Sequence, residues 1–201
     1  MTFVQSFYSF NLDITNSDSG VYAKARAKIP RHPDEMLEHL YARVIAYAHS
    51  FDTKIEFTAG IFDRKLPSLQ KKDLLGEVSL AIEIGEIDPE KIHKALRRKP
   101  HPHYRIYFYD EAQIAKFCHE MRGSTTNWIV DTEFFAIPFD FLTSITQFEK
   151  SSSSWVFTFV DNTLYLSVDD NALSTELAPL DMWAKFQESL AMQTRKEDDD
   201  K

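Results

Sequence analysis

The sequence predicts an α/β fold: a single domain with a central mixed β-sheet flanked by helices, and β-hairpins near both ends. Three observations predict it. Apolar residues alternate at 3–14, 77–84 and 155–168, the period of a half-buried strand. Helix-period stripes with recognisable starts lie between those runs. No repeat and no linker divides the 201 residues, a length that fits one domain.

Val4, Ser6, Tyr8, Phe10, Leu12 and Ile14 share one face of a first strand. Asn16 to Gly20 reads as a turn, and the alternating run 21–29 as the partner strand of a hairpin. Pro33, Asp34 and Glu35 predict a helix start. Leu37, Leu40, Tyr41, Val44 and Ile45 then form its buried stripe, with Glu35, His39 and Arg43 on the opposite face. Residues 55–62 read as a short strand or irregular segment and 63–73 as a loop. A strand is expected at 77–84, closed by Gly85. Asp88-Pro89-Glu90 opens the next helix, which Pro100 and Pro102 end. A strand at 104–109, a helix at 111–121, a strand near 127–131, a helix at 138–147 and a hairpin at 155–168 complete the expected order. Residues 1–185 form the expected domain, and 186–201 a charged, disordered tail.

Composition narrows the function classes. Hydrophobic residues make up 43% of the chain, enough for a core without staples. The lone Cys118 excludes an internal disulfide and a cysteine zinc site, and its apolar neighbours predict a buried thiol. The N-terminus lacks a signal-peptide pattern and no apolar run is long enough for a membrane span, so a cytoplasmic protein is expected. A net charge of −8 disfavours general nucleic-acid binding. The exception is residues 91–109, which carry Lys91, Lys94, Arg97, Arg98, Lys99 and Arg105 without an acid. Lys91, Arg97 and Arg98 are the candidate phosphate contacts there. The alternative for Arg97 and Arg98 is simple pairing with the helix dipole. Tyr107 and Tyr109 can stack on bases, though packing beneath a helix is the plainer reading.

The strand at 77–84 carries the candidate chemistry. Period 2 places Glu77, Ser79, Ala81 and Glu83 on one side, and Val78, Leu80, Ile82 and Ile84 on the core side. Two carboxylates on one face, followed by a lysine-bearing helix, suit a hard divalent cation acting on a phosphate. A half-exposed strand with polar residues outward explains the same pattern.

Several segments together resemble the YaeQ family. They are Arg31-His32-Pro33-Asp34-Glu35 and the helix through Arg43, Phe57-Thr58-Ala59-Gly60, and Ile82-Glu83-Ile84-Gly85 through Lys91-Ile92-His93-Lys94-Ala95. The hairpin ending in Leu166-Ser167-Val168-Asp169-Asp170 is similar to that family's C-terminal end, so the resemblance spans about residues 3–180. It implies a variant of the PD-(D/E)XK nuclease-like fold, in which acids on core strands and on an N-terminal helix bind Mg²⁺. It also implies that a lysine on the following helix replaces the usual one. Carried over, Glu83 matches the second acid, Glu35 the helix acid and Lys94 the migrated lysine. The chain departs from the pattern at Ser79, where an acid is expected, at Ala59, where Arg is usual, and at Ala81, where Trp is usual. Glu77, one pleat from Ser79, is the candidate substitute.

The expected metal ligands are therefore Glu83, Glu77, Glu35 and Ser79, with Mg²⁺ as the cofactor. The implied catalytic set is Glu83, Lys94 and Glu35. The expectation is a degenerate, nucleic-acid-related site that performs Mg²⁺-dependent phosphodiester hydrolysis weakly or not at all. The alternative is a non-catalytic protein-interaction or nucleic-acid-binding module on the same fold.

Overall fold

The computed structural model describes residues 6–97, 100–121, 129 and 132–199. Strands β1 (Ser6–Asn16) and β2 (Val21–Arg31) form the first hairpin, and helix α1 (Leu37–His49) follows. Three strands come next: β3 (Ile55–Phe57), β4 (Leu69–Lys72) and β5 (Val78–Ile84). Helix α2 (Pro89–Leu96), strand β6 (His103–Phe108), helix α3 (Glu111–Glu120), strand β7 (Thr132–Ala136) and helix α4 (Phe139–Thr146) alternate after them. Strands β8 (Ser152–Val160), β9 (Thr163–Val168) and β10 (Asn171–Glu176) lead to helix α5 (Met182–Asp199).

The strands build two mixed sheets, where one central sheet was expected. One has the order β10-β9-β8-β1-β2, the other β3-β4-β5-β6-β7. The hairpins near the two ends are not separate appendages. Ser9 to Asn16 of β1 pairs in parallel with Ser152 to Phe159 of β8, which merges them into one sheet. In the second sheet β4 and β5 are antiparallel, and β5, β6 and β7 are parallel. Helices α2 and α3 make the crossovers that parallel neighbours need.

Helix α1 lies between the sheets and buries every residue from Leu40 to Ala48. Its core cluster joins Phe10, Leu12 and Trp155 of the first sheet to Ile82, Ile84 and Tyr107 of the second. Burying each large apolar side chain there contributes about 1.5–3 kcal/mol. The far side of the second sheet packs Ala81, Ile106 and Phe134 against α2, α3 and α5, and buries Cys118 there as expected. Tyr107 is packed rather than open, its hydroxyl bonded to His49 Nδ1 at 2.8 Å and Ser50 Oγ at 2.9 Å.

Four local expectations change. Helix α1 begins at Leu37 with Met36 as its N-cap, because Pro33 to Glu35 form a turn that puts the Glu35 carboxylate inside. Strand β4 lies in the segment expected to be a loop, held by pairing on both sides. Residues 186–199, expected as a tail, are helical, and Met182 and Phe186 anchor α5 in the second core. Strand β7 starts at Thr132, and of the residues 127–131 expected as strand only Ile129 is described. Among the described residues, no helix is long and apolar enough to cross a membrane.

Candidate functional site

Glu35, His39 and Arg43 form a closed brace between the end of β2 and α1. Arg43 Nε donates to Glu35 Oε1 at 2.9 Å and Arg43 Nη2 to Oε2 at 2.8 Å. This is the two-pronged geometry that suits a guanidinium to a carboxylate. The same Nη2 donates to Pro30 O at 2.9 Å, and the His32 N–H donates to Glu35 Oε2 at 3.3 Å. His39 Nδ1 lies 2.6 Å from Glu35 Oε1. The Glu35 and Arg43 side chains are only 1% and 2% exposed, so water does not compete for this pair. Burial pulls the Arg43 pKa down, and the adjoining Glu35 charge pulls it back up.

Glu83 sits on β5 where that strand enters the core and is buried. Asp88 caps α2 by accepting from the Glu90 N–H at 2.8 Å, and Ile92 fixes the helix in the second core. Lys91, one residue before that anchor, thereby turns back toward the strand. Its Nζ lies 2.6 Å from Glu83 Oε1 and donates to Leu66 O at 3.2 Å. The contact with Glu83 is a close charge contact: among the described residues no donor is well aligned on that buried oxygen. Burial raises the Glu83 pKa, and Lys91 opposes the shift.

The other carried-over residues do not join this pair. Lys94 is exposed on α2 and pairs with Glu90 at 3.1 Å, one helical turn earlier. Glu77 is exposed and precedes β5. Ser79 is exposed too and donates to Lys71 O at 3.1 Å. Four residues of strand separate Ser79 from Glu83 by about 13 Å. Glu77 is farther still, so one ion cannot bridge either of them to Glu83. Glu77, Ser79 and Glu83 share the parity expected of one strand face but not one environment: Glu77 and Ser79 are exposed, Ala81 is covered by the second core, and Glu83 is buried.

The basic stretch is similarly dispersed. Arg105 and His103 both pair with Glu133, which draws that carboxyl down to about 2, through His103 first and then Arg105. Arg97 ends α2 in an exposed position, and Arg98 lies outside the described residues.

A cleft of about 1250 Å³ opens between α1, the end of β5 and α2. Glu83, Lys91, His39 and Tyr109 line it. Its rim adds Glu86, Asp88, Glu90, Asp110 and Glu120 against Arg64 and Lys116, so the cleft is acidic. At Gly85, whose φ is +84°, an added Cβ would lie 3.1 Å from Tyr109 Cε1 and 3.5 Å from His39 Cδ2. Glycine thus lets the strand end approach both rings. His39 is the residue that the sequence reading left unassigned. Glu35 orients its Nδ1, which turns Nε2 to the remaining side of the ring. The signal was its i, i+4 spacing from Glu35.

The residues present do not fit a Mg²⁺ site. Mg²⁺ takes carboxylate oxygens at about 2.0–2.1 Å in octahedral geometry. Both Glu35 oxygens are occupied by donors, and Lys91 holds the cation position beside Glu83. Among the described residues, no group of three or more His, Cys, Asp or Glu side chains is placed to hold a metal ion.

Comparison with known proteins agrees with the resemblance read from the sequence. The chain is 22% identical over 187 residues to "Uncharacterized protein YaeQ" of Escherichia coli (strain K12), covering 88% of this chain and 96% of that one. It is 24% identical over 182 residues to the protein of the same description from Salmonella typhi, again covering 88% and 96%. The crystal structure of YaeQ protein from Pseudomonas syringae matches with a TM-score of 0.75 at 23% identity, over 88% of this chain and 96% of that one. The YaeQ protein from Xanthomonas axonopodis pv. citri matches with a TM-score of 0.76 at 20% identity, over 88% and 97%. At these identities the two structures show a shared fold and no more. The family model described as "YaeQ protein" matches residues 1–177, and the chain belongs to the YaeQ family.

Proposed function

We propose that this chain is a non-catalytic binding module on a variant of the PD-(D/E)XK nuclease-like fold, and that its cleft does not hydrolyse phosphodiesters. The mixed β3–β7 sheet, with an acid on β5 and a lysine on the helix after it, supports the nuclease-like ancestry. One observation carries the loss of catalysis: each buried acid is closed by a cation of the chain itself, Glu35 by Arg43 and Glu83 by Lys91. A metal at Glu83 Oε1 would have to displace Lys91, which already balances the Glu83 charge there. Fold alone does not establish activity.

Calorimetry with MgCl₂ and MnCl₂, alongside cleavage assays on single- and double-stranded DNA and RNA, tests the reading. The expected result is no saturable heat that depends on Glu83, and no cleavage above that of Glu83→Ala. Ser79→Asp is expected to leave metal affinity unchanged, because position 79 lies about 13 Å along the strand. Mg²⁺-dependent cleavage that Glu83→Ala abolishes would overturn the proposal and restore the site as an enzyme centre.

A further inference from the structure

Among the described residues, no helix or strand covers the outer face of the first sheet, whose alternate positions stay exposed or half-buried. On β1 the even positions Tyr8 to Ile14 are buried, so the odd positions point out. Pairing carries that face across the sheet. Asp13 of β1 lies opposite Lys24 of β2 and Val156 of β8. Thr15 lies opposite Tyr22 and Thr158, and Thr158 opposite Tyr165 of β9.

Two features of the face are unusual in a chain of net charge −8. Lys24, Arg26 and Lys28 form an exposed column on the edge strand β2. Alternate residues repeat every ~7 Å, so the column presents three cations in a straight line. In the four cross-strand rows from Lys28 to Tyr22 the acids are Asp13, 3.4 Å from Lys24, and Asp169, which follows β9 beside Ser154 and is paired by Lys150 at 2.6 Å. The second feature is aromatic. Tyr22 is 73% exposed, Tyr165 52% and Phe7 45%. Tyr22 and Tyr165 share one row three strands apart, about 14 Å, while Phe7 lies at the other end of the column beneath Lys28, whose Nζ is 4.9 Å from its ring centroid.

Lysines on an edge strand also prevent pairing with a foreign sheet. That accounts for the charges but not for the outward rings. Cations that track a backbone beside rings that take bases are the means by which sheet surfaces hold single strands. We infer that the outer face of the β10-β9-β8-β1-β2 sheet is a single-stranded nucleic-acid interface, with Lys24, Arg26 and Lys28 on the phosphates and Tyr22 and Tyr165 as stacking platforms. The site is separate from the acidic cleft, so its test is independent of whether the cleft is catalytic.

Fluorescence anisotropy with a labelled oligothymidylate of about 16 nucleotides tests it. Three phosphate contacts predict that log Kd rises with log salt with a slope of about 2. The triple change Lys24→Ala, Arg26→Ala and Lys28→Ala should remove that slope along with the binding. Tyr165→Ala should weaken binding about tenfold. Arg64→Ala with Lys116→Ala, in the cleft, should change nothing. All these side chains are exposed, and an unchanged Tm for each variant confirms that the fold is intact. No binding at about 50 mM salt would overturn the inference. So would binding that survives the triple change, or that duplex DNA or polyglutamate competes for as well as unlabelled single strand. Competition by polyglutamate would point instead to an acidic protein partner.

Discussion

Replacing Arg43 with Met tests what the brace is for. Met keeps the length and apolar stem of the side chain but removes its bonds to Glu35 and to Pro30 O. Glu35, with a side chain only 1% exposed, is then left with His39 and the His32 N–H. Removing one partner of a buried ion pair costs about 3–5 kcal/mol, because the remaining charge stays desolvated. The surviving His39 contact places the expected loss toward the lower end. For a domain of this size that corresponds to a fall in Tm of about 10 °C. Urea unfolding at neutral pH gives the free energy, with an unchanged m-value showing that the same surface is exposed. The double variant Glu35→Leu, Arg43→Met should recover part of the loss, since no charge then remains buried. A loss below about 1 kcal/mol would refute the brace as a buried pair. Recovery of the Arg43→Met Tm by millimolar Mg²⁺ would show that Glu35 is a latent metal ligand and refute the closed-site argument.

Two further outcomes follow from buried groups. His49 is held neutral, its pKa lowered from 6.5 to about 4 by burial first and by Arg105 second. A depressed histidine contributes stability above its unfolded value that is lost as pH falls from 6.5 to about 4, about 3 kcal/mol in all. Urea titrations across that window should show the loss in the wild type and a flatter profile in His49→Gln; identical profiles would remove His49 as the cause. Gly85→Ala should destabilise by about 1–3 kcal/mol, since alanine must adopt φ +84° with its Cβ against Tyr109. Near-UV circular dichroism should report the displaced ring, and a neutral substitution would mean that the strand end is not constrained there.

Much of the fold was legible because short-range pattern dictated it. The alternation at 155–168 and the Asp88-Pro89 start of α2 survive almost residue for residue. What the sequence hid is long-range. Nothing in the composition of β1 or β8 announces that they pair in parallel, and β4 is a strand only because β3 and β5 flank it. The site shows the same division. Glu83 was legible from period 2, but its partner was not. Lys91 and Lys94 lie about 60° apart around the helix, and the depth of Ile92 in the core decides which one reaches back. Glu35 and Arg43 were correctly placed on one face of a helical pattern, but that pattern left solvent and a cleft equally open, and mutual neutralisation is what allows their burial.

The parallel pairing of Ser9 with Ser152 also sets a timetable for the nascent chain. As the ribosome delivers residues from the N-terminus, β1 emerges with one edge unsatisfied, and its partner β8 is synthesised only after the whole second sheet. Until then the hairpin offers a free edge and the apolar row Tyr8, Phe10, Leu12 and Ile14 to other chains. Contacts of such sequence separation slow folding. A ribosome-stalled chain ending before Ser152 is therefore the form most in need of a chaperone; release past Val160 lets β8 cover the free edge of β1, and release past Glu176 completes the sheet.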